Sequence, residues 1–413
     1  MVISFLKELK TVWKRQQRNW KTVVTRQVFN RFFNELTLQY SNIYITLLGA
    51  SPIQLGAVNS ALGIAQSIIA IPLGVIRDRY NLRKIYLFGV GLLTLVPLLY
   101  IIAPSWELIA LAILLSGLGM MVGSCVIICD LSLPPHDRAT GKAICEGAGA
   151  LPTILAPTIA AALLTLFGGI GIESIRKLYW LQFAARLILF IYVYHNLTDI
   201  ARPPREPLKL NIVSEFREIF ERGIAVKRWL LFQSINMFTA VMLSTFRYPY
   251  IYDVKKATQF TIGGIASAML ITEALFSTIV GRFADKVGRK KAFYLLMPVF
   301  SAANILLIWA NSPAWLVFSG ILMGFRMIAT FSYGSMTPEL VPPDCMGRWR
   351  GLIGLCTGLA SIPAPIIGGL IWERLGPEWV LITITAIDIL VRTPLLASVP
   401  ETLNQNTFAE ATE

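Results

Sequence analysis

The residues of this chain with chemistry to offer are ionisable and amide side chains set inside long apolar runs. Arg31, Glu35 and Gln39 follow one another at i, i+4, and Asn34 and Asn42 fall on nearly the same helical face. A stripe of that kind cannot face hydrocarbon; it faces a bundle interior or a wet cavity. Arg31 and Glu35 stand at the spacing of an intrahelical pair. A carboxylate near mid-span such as Glu35 can exchange a proton, because desolvation favours its neutral form and a nearby Arg its charged form. Two readings stand for this stripe. It is an internal ion pair that locks helices together, or it contacts substrate and carries a coupling proton.

Glu273 lies in another apolar run, and Arg326 sits in mid-run with no obvious local partner. Arg247 precedes the tyrosines Tyr248, Tyr250 and Tyr252. The candidate cavity set is therefore Arg31, Asn34, Glu35, Gln39, Arg247, Glu273 and Arg326. Glu146, Arg186, Asp388 and Arg392 are further candidates, the last two at i, i+4 and able to pair with each other. Both signs of charge occur, which fits a zwitterionic, polar or amphipathic organic solute. The 5 cysteines show no zinc spacing; Cys125 and Cys129 are i, i+4 and read as packing, and His136 and His195 suggest no metal cluster. No nucleophile–base constellation and no phosphate-binding Gly-x-x-x-x-Gly-Lys-[Ser/Thr] occurs, so no enzyme, no cofactor and no direct ATP drive are expected.

Twelve helical spans must position these groups. The chain has 413 residues, 55% hydrophobic and 15% charged, with a mean hydropathy of +0.62; soluble proteins carry about 25% charged residues. Apolar stretches of about twenty residues, enough for a helix to cross the bilayer, recur throughout. Alternating strands of about ten residues do not. The spans are expected near 25–48, 54–76, 85–103, 107–129, 142–166, 177–196, 229–251, 261–280, 292–310, 314–336, 351–371 and 379–398. The connecting segments on one side carry 27 Lys and Arg, those on the other 5. The first side, with both termini, is therefore expected to be cytoplasmic. The net charge of +13 is then topological, and nucleic acid is not an expected partner. The early residues are too charged for a secretory signal. Amphipathic patterns in the N-terminal segment and in residues 198–228 read as helices lying on the cytoplasmic membrane surface.

The two halves repeat. Trp20 and Phe29 match Trp229 and Phe238 at an offset of 209; Gly74 and Asp78 match Gly281 and Asp285 at 207; Arg138 and Gly141 match Arg348 and Gly351 at 210. The domains that follow are a cytoplasmic segment 1–22, a six-helix bundle 23–197, a central loop 198–228, a second bundle 229–398 and a tail 399–413. Parallel six-span repeats with a site between them near the midplane are a recurring transporter plan. Each half carries a charged knot, GVIRDRYNLRK at 74–84 and GRFADKVGRKK at 281–291. Gly74 and Gly281 are expected where two helices approach closely. Gly288, and Asn81 in the first copy, are expected in a tight reversal of positive φ.

These knots resemble the signature loop of the major facilitator superfamily, which joins spans two and three and recurs between spans eight and nine. The resemblance covers the whole chain. Asn81 and Leu82 depart from the pattern, in place of a glycine and a basic residue. The resemblance implies an all-α integral membrane fold of two six-helix bundles rocking about a central site. It also implies a cytoplasmic charge switch of Gly74, Asp78, Arg79, Asp130, Arg138, Gly281, Asp285, Gly288, Arg289, Glu339 and Arg348. By contrast, the same charges could serve only to fix topology. Val399-Pro400-Glu401-Thr402 resembles the segment after span twelve of sugar porters, but their Gln-rich span-seven motif is absent. The expected function is alternating-access transport of a small organic solute, coupled to protons as symporter or antiporter. A multi-pass monomer in the cell membrane is expected. The alternative is a sensor or scaffold that binds a ligand in the same cavity without moving it.

Overall fold

The computed structural model describes residues 13–79, 81–122, 126–134, 138–147, 149–199, 223–341 and 346–402. Most of the expected surface helices, at 1–12 and 200–222, lies outside these residues. So do the side chains of Asp78, Arg79, Asp130, Arg138, Glu146 and Arg348, which belong to the candidate sets.

Among the described residues the chain is helical, without strands, as a backbone dissolved in lipid requires. The N-terminal half runs through α1 (Arg18–Leu47), α2 (Pro52–Arg79), α3 (Leu82–Ile102), α4 (Trp106–Val122), α5 (Val126–Ser132), α6 (Arg138–Gly147), α7 (Ala150–Leu166) and α8 (Ile172–Asn196). The C-terminal half runs through α9 (Ile224–Pro249), α10 (Gln259–Val287), α11 (Arg289–Trp309), α12 (Pro313–Gly334), α13 (Met346–Ser361), α14 (Pro363–Leu375), α15 (Pro377–Ile387) and α16 (Thr393–Ala397). Two π-helical turns interrupt the second half, Tyr250–Val254 after α9 and Asp388–Arg392 between α15 and α16. Among the described residues eight helical stretches are long and apolar enough to cross a membrane, and Trp106–Met120 and Pro152–Leu166 are shorter apolar helices. Each expected span overlaps one or more of the described helices.

The core is shared at one end of the molecule and split at the other. At the end bearing the turns 48–51, 167–171 and 255–258, one apolar cluster joins both halves, with Tyr40, Ile43 and Leu55 from the first and Met242, Phe246 and Ile262 from the second. This is called the distal end below. At the end where the chain enters α1 and leaves α16, the terminal end, each half has its own cluster. One is built on Trp20, Val23, Tyr86 and Val193, the other on Trp229, Phe232, Phe293 and Leu396. Trp20 and Trp229, the first landmark of the repeat, are both fully buried, one in each cluster. The repeat therefore marks two separately cored bodies that meet at a common distal end.

Small residues explain how tightly they meet there. A Cβ on Gly56 would lie 2.2 Å from the Pro365 carbonyl oxygen, one on Gly369 2.4 Å from that of Pro52, and one on Gly263 2.7 Å from that of Pro157. Helix backbones approach this closely only where a side chain is missing. A Cβ on Gly281, in contrast, would meet nothing within 4 Å. The close approach expected at Gly281 is absent among the described residues.

Candidate functional site

Beneath the distal seal, four of the seven expected cavity residues face one another across the two halves. Glu35 on α1 lies within electrostatic reach of Glu273 on α10 and of Arg247 on α9. Glu273 in turn faces Arg31 on α1. The Arg31–Glu35 pair that the spacing allows is not formed: Gln39 Nε2 donates to Glu35 Oε2 at 3.1 Å, and Arg31 lies within electrostatic reach of Glu273. The Arg247 guanidinium lies over the Tyr248 ring at 4.7 Å, where the π face favours a cation. Each half thus contributes one acid and one base to a partly buried polar surface, and each acid faces a base on the opposite half. Charges placed this way can bind a charged or zwitterionic solute, and a carboxylate among them can exchange a proton.

Polar contacts between the halves sit at the distal end among the described residues. Asn42 Nδ2 donates to the Ser244 carbonyl at 3.0 Å and Tyr40 to that of Gln259 at 3.2 Å. The Ser60 hydroxyl reaches the Ile362 carbonyl at 2.6 Å. Ser267 bridges to Thr158 at 3.0 Å and to the Ile154 carbonyl at 2.9 Å.

Of the other three, Gln39 stays with Glu35, and Asn34 and Arg326 have different company. Asn34 Oδ1 accepts from Arg186 Nη2 at 3.0 Å, inside the N-terminal half. Arg326, which the sequence leaves without a partner, is inside the C-terminal half. Its Nη1 meets Asp388 Oδ2 at 2.5 Å and its Nη2 donates to the Thr239 hydroxyl at 2.8 Å. Arg392 Nη1 meets the other oxygen of Asp388 at 3.2 Å. Asp388 and Arg392 are 0% exposed and Arg326 8%. The Arg392 guanidinium lies over Phe293 at 5.0 Å, Phe232 at 5.3 Å and Tyr333 at 5.4 Å, and donates to the Tyr333 hydroxyl at 3.1 Å. The triad ties α9, α12 and the last helical rod into one unit. Arg326 is thereby a strut within the half rather than a free cation beside Glu35 and Glu273.

At the terminal end, Arg289 and Glu339 form an ion pair, joining the start of α11 to the turn Thr337–Glu339. Gly288 has φ +122° and separates α10 from α11. Asn81 differs from its expected role. Its φ is −60°, and its side chain accepts from the Arg83 amide at 2.8 Å, so it caps α3 rather than making a left-handed reversal. The two copies stop and restart the chain by different means. Asp285 is exposed on the terminal rim. Glu401 Oε2 accepts from the Lys290 amide at 3.0 Å, a carboxylate at the N-terminus of α11. In the first half Asp199 accepts from the Asn81 side chain at 3.0 Å. An acid just beyond each bundle's last helix thus clasps the knot of the same half.

A family model described as Major Facilitator Superfamily matches residues 27–256 and 230–407. The chain is 24% identical over 371 residues to the multi-drug resistance efflux pump PmrA homolog of Lactococcus lactis, covering 86% of this chain and 89% of that protein. It is 26% identical over 108 residues to the class E tetracycline resistance protein of Escherichia coli, 26% of each chain. The crystal structure of the nucleoside transporter NupG is similar with a TM-score of 0.70 at 16% identity, covering 92% of this chain and 99% of that one. A bacterial homologue of the human lysosomal transporter Spinster, solved inward-facing and occupied, is similar with a TM-score of 0.64 at 15% identity, over 92% of this chain and 93% of that one.

Proposed function

The chain belongs to the major facilitator superfamily, and on that premise we propose that it is a proton-coupled secondary transporter that exports a small amphipathic organic solute by alternating access. The observation that carries this reading is the charge group beneath the distal seal, where Glu35 lies within electrostatic reach of Arg247 and Glu273 within that of Arg31, across the two halves. Solute binding and proton binding compete for the same acids, so a proton entering from one side releases a solute held from the other. The charge asymmetry places the terminal end in the cytoplasm. The conformation sealed at the distal end is then the inward-open one, ready to load from the cytoplasm. The Arg289–Glu339 pair lies within one half. Similarity to an efflux pump across most of the chain supports export; the likeness to a nucleoside transporter is one of fold.

The test is transport in proteoliposomes with an imposed pH gradient, using ethidium as a lipophilic cation and uridine as a nucleoside. Gradient-driven movement of ethidium that collapses with an uncoupler is expected. Uridine uptake without ethidium movement would replace the exporter with a nucleoside importer. Saturable binding with no movement or counterflow of either would leave the non-transporting sensor as the better reading.

A further inference from the structure

The C-terminal half carries an apolar groove on its outer side, away from the charge group beneath the distal seal. The groove runs between α11 and the last helical rod and holds about 410 Å³. Ile305 and Ile308 form one wall, and Ile382, Ala386, Ile389 and Leu390 the other. It exists because Thr385 and Ala386 are short side chains between Ile382 and Ile389. Thr385 also lines it, but its hydroxyl is committed to the protein: it donates to the Leu381 carbonyl at 2.9 Å and accepts from Asn304 Nδ2 at 3.1 Å. The surface on offer is therefore hydrocarbon. Leu390 is 72% exposed, so the groove opens sideways, toward lipid in a chain that spans a membrane. Residues 382–390 rise about 12 Å along the rod, close to the depth of one leaflet of hydrocarbon, about 15 Å.

The upper end of the groove lies at the distal membrane boundary. Trp309, Trp315 and Trp379, at the distal ends of α11, α12 and α15, are each at least half exposed, as tryptophans are between hydrocarbon and headgroups. At this level Lys255, in the turn after α9, donates from Nζ to the carbonyl of Ile308, itself a wall residue, at 2.5 Å. An ammonium has three donors, and no carboxylate among the described residues pairs with this one. Asp253 lies within electrostatic reach of Lys256, and Glu373 accepts from the Ile53 amide at 3.1 Å. Glu378 lies within electrostatic reach of Tyr250, whose ring the Lys255 ammonium overlies at 5.9 Å, but forms no ion pair among the described residues. An ammonium with donors to spare, at the mouth of a hydrocarbon groove one leaflet deep, is complementary to an amphiphile with a negative head. We propose that the groove is a binding site for an anionic phospholipid of the distal leaflet, with one acyl chain along residues 382–390 and the phosphate at Lys255. The chain fills the space that Ala386 leaves open and so supports the packing of the last rod on α11.

The experiment is native mass spectrometry of the purified full chain, released from nanodiscs of equal parts phosphatidylglycerol and phosphatidylcholine. The wild type should retain one phosphatidylglycerol, preferred about fivefold over phosphatidylcholine, the scale of one lysine's attraction to an anionic lipid surface. K255Q should lose the preference and still retain a lipid. A386F fills the groove and should lose the retained lipid of either kind. Should A386F fail to fold, A386L narrows the same groove and should weaken retention. A wild type that retains neither lipid, or both equally, overturns the proposal. So does a preference undiminished in K255Q, or retention undiminished in the Ala386 variant. A wild-type dimer that the Ala386 variant converts to a monomer also overturns it, since a second copy would then cover the groove.

Discussion

Replacing Asp388 by Asn should destabilise the C-terminal half by about 3–5 kcal/mol, the range for breaking a buried ion pair by deleting one partner. The geometry places this site toward the top of that range. Asp388 is 0% exposed and accepts from Arg326 at 2.5 Å, Arg392 at 3.2 Å and Thr239 at 3.1 Å, so a single substitution strips the counter-charge from two buried guanidiniums. The aromatic faces around Arg392 offset part of the loss, each interaction contributing about 0.5–2 kcal/mol. Among the described residues Arg326 has only Phe300, at 5.4 Å, in that role. The double variant Asp388→Asn with Arg326→Met should therefore recover much of the stability, because the one remaining cation sits in its aromatic surround. Thermal unfolding in detergent measures both. At roughly 2–4 °C per kcal/mol for a unit of this size, the single variant should melt about 6–20 °C below the wild type, and the double variant several degrees above the single one. A single variant melting within 2 °C of wild type would refute the triad as a strut of the fold, and no recovery in the double variant would refute the charge-balance argument.

Glu35→Gln should abolish pH-gradient-driven transport while leaving counterflow measurable in proteoliposomes; survival of both would make Glu35 structural. Gly56→Val should hinder distal closure, because even a Cβ would lie 2.2 Å from the Pro365 carbonyl oxygen. Labelling of cysteines introduced at the terminal end should fall as that state is depopulated, and unchanged labelling would count against the seal. Gly288→Ala should cost about 1–2 kcal/mol from its φ of +122°, read as a lower melting temperature; an unshifted melt would show that the turn relaxes. Asp285→Asn should impair transport without changing insertion or melting temperature, and full activity would remove Asp285 from the switch.

Much of this was legible in the sequence because it is written in periodicity. The two bundles announce themselves through spaced landmarks, and Trp20 and Trp229 prove to be the buried centres of two separate clusters. The polar stripe of α1 was visible because i, i+4 spacing needs no tertiary knowledge. Arg326 was a different matter. Its partner Asp388 is 62 residues away, brought close only by the packing of α12 on the last rod, and no local spacing encodes that pairing. The π-helical turn that carries both Asp388 and Arg392 adds a further change of phase that a regular 3.6-residue repeat does not anticipate. Asn81 misled for a related reason: Asn tolerates positive φ, but it also caps helices, and only the backbone decides between them. Arg26 could be read only as part of the basic N-terminal segment, because burial beside Tyr86 depends on α3 lying across it.

A division of labour among the contacts bears on how such a molecule can move. The charged ties Arg326–Asp388–Arg392 and Arg289–Glu339 lie within one half, as does the Arg186 link to Asn34 in the other. Between the halves lie chiefly hydroxyl and amide contacts to backbone carbonyls, together with glycine-mediated backbone contacts. A neutral hydrogen bond exchanged for one to water contributes on the order of 1 kcal/mol, whereas breaking a buried ion pair costs several. Opening the distal end therefore disrupts contacts that water can replace, while each half keeps its internal charge network intact. The vestibule charges are the exception, since Glu35, Arg247, Glu273 and Arg31 interact across the gap. They are where a bound solute or proton can change the balance between two rigid halves, and neutralising one of them should shift the conformational equilibrium more than removing any single distal hydrogen bond.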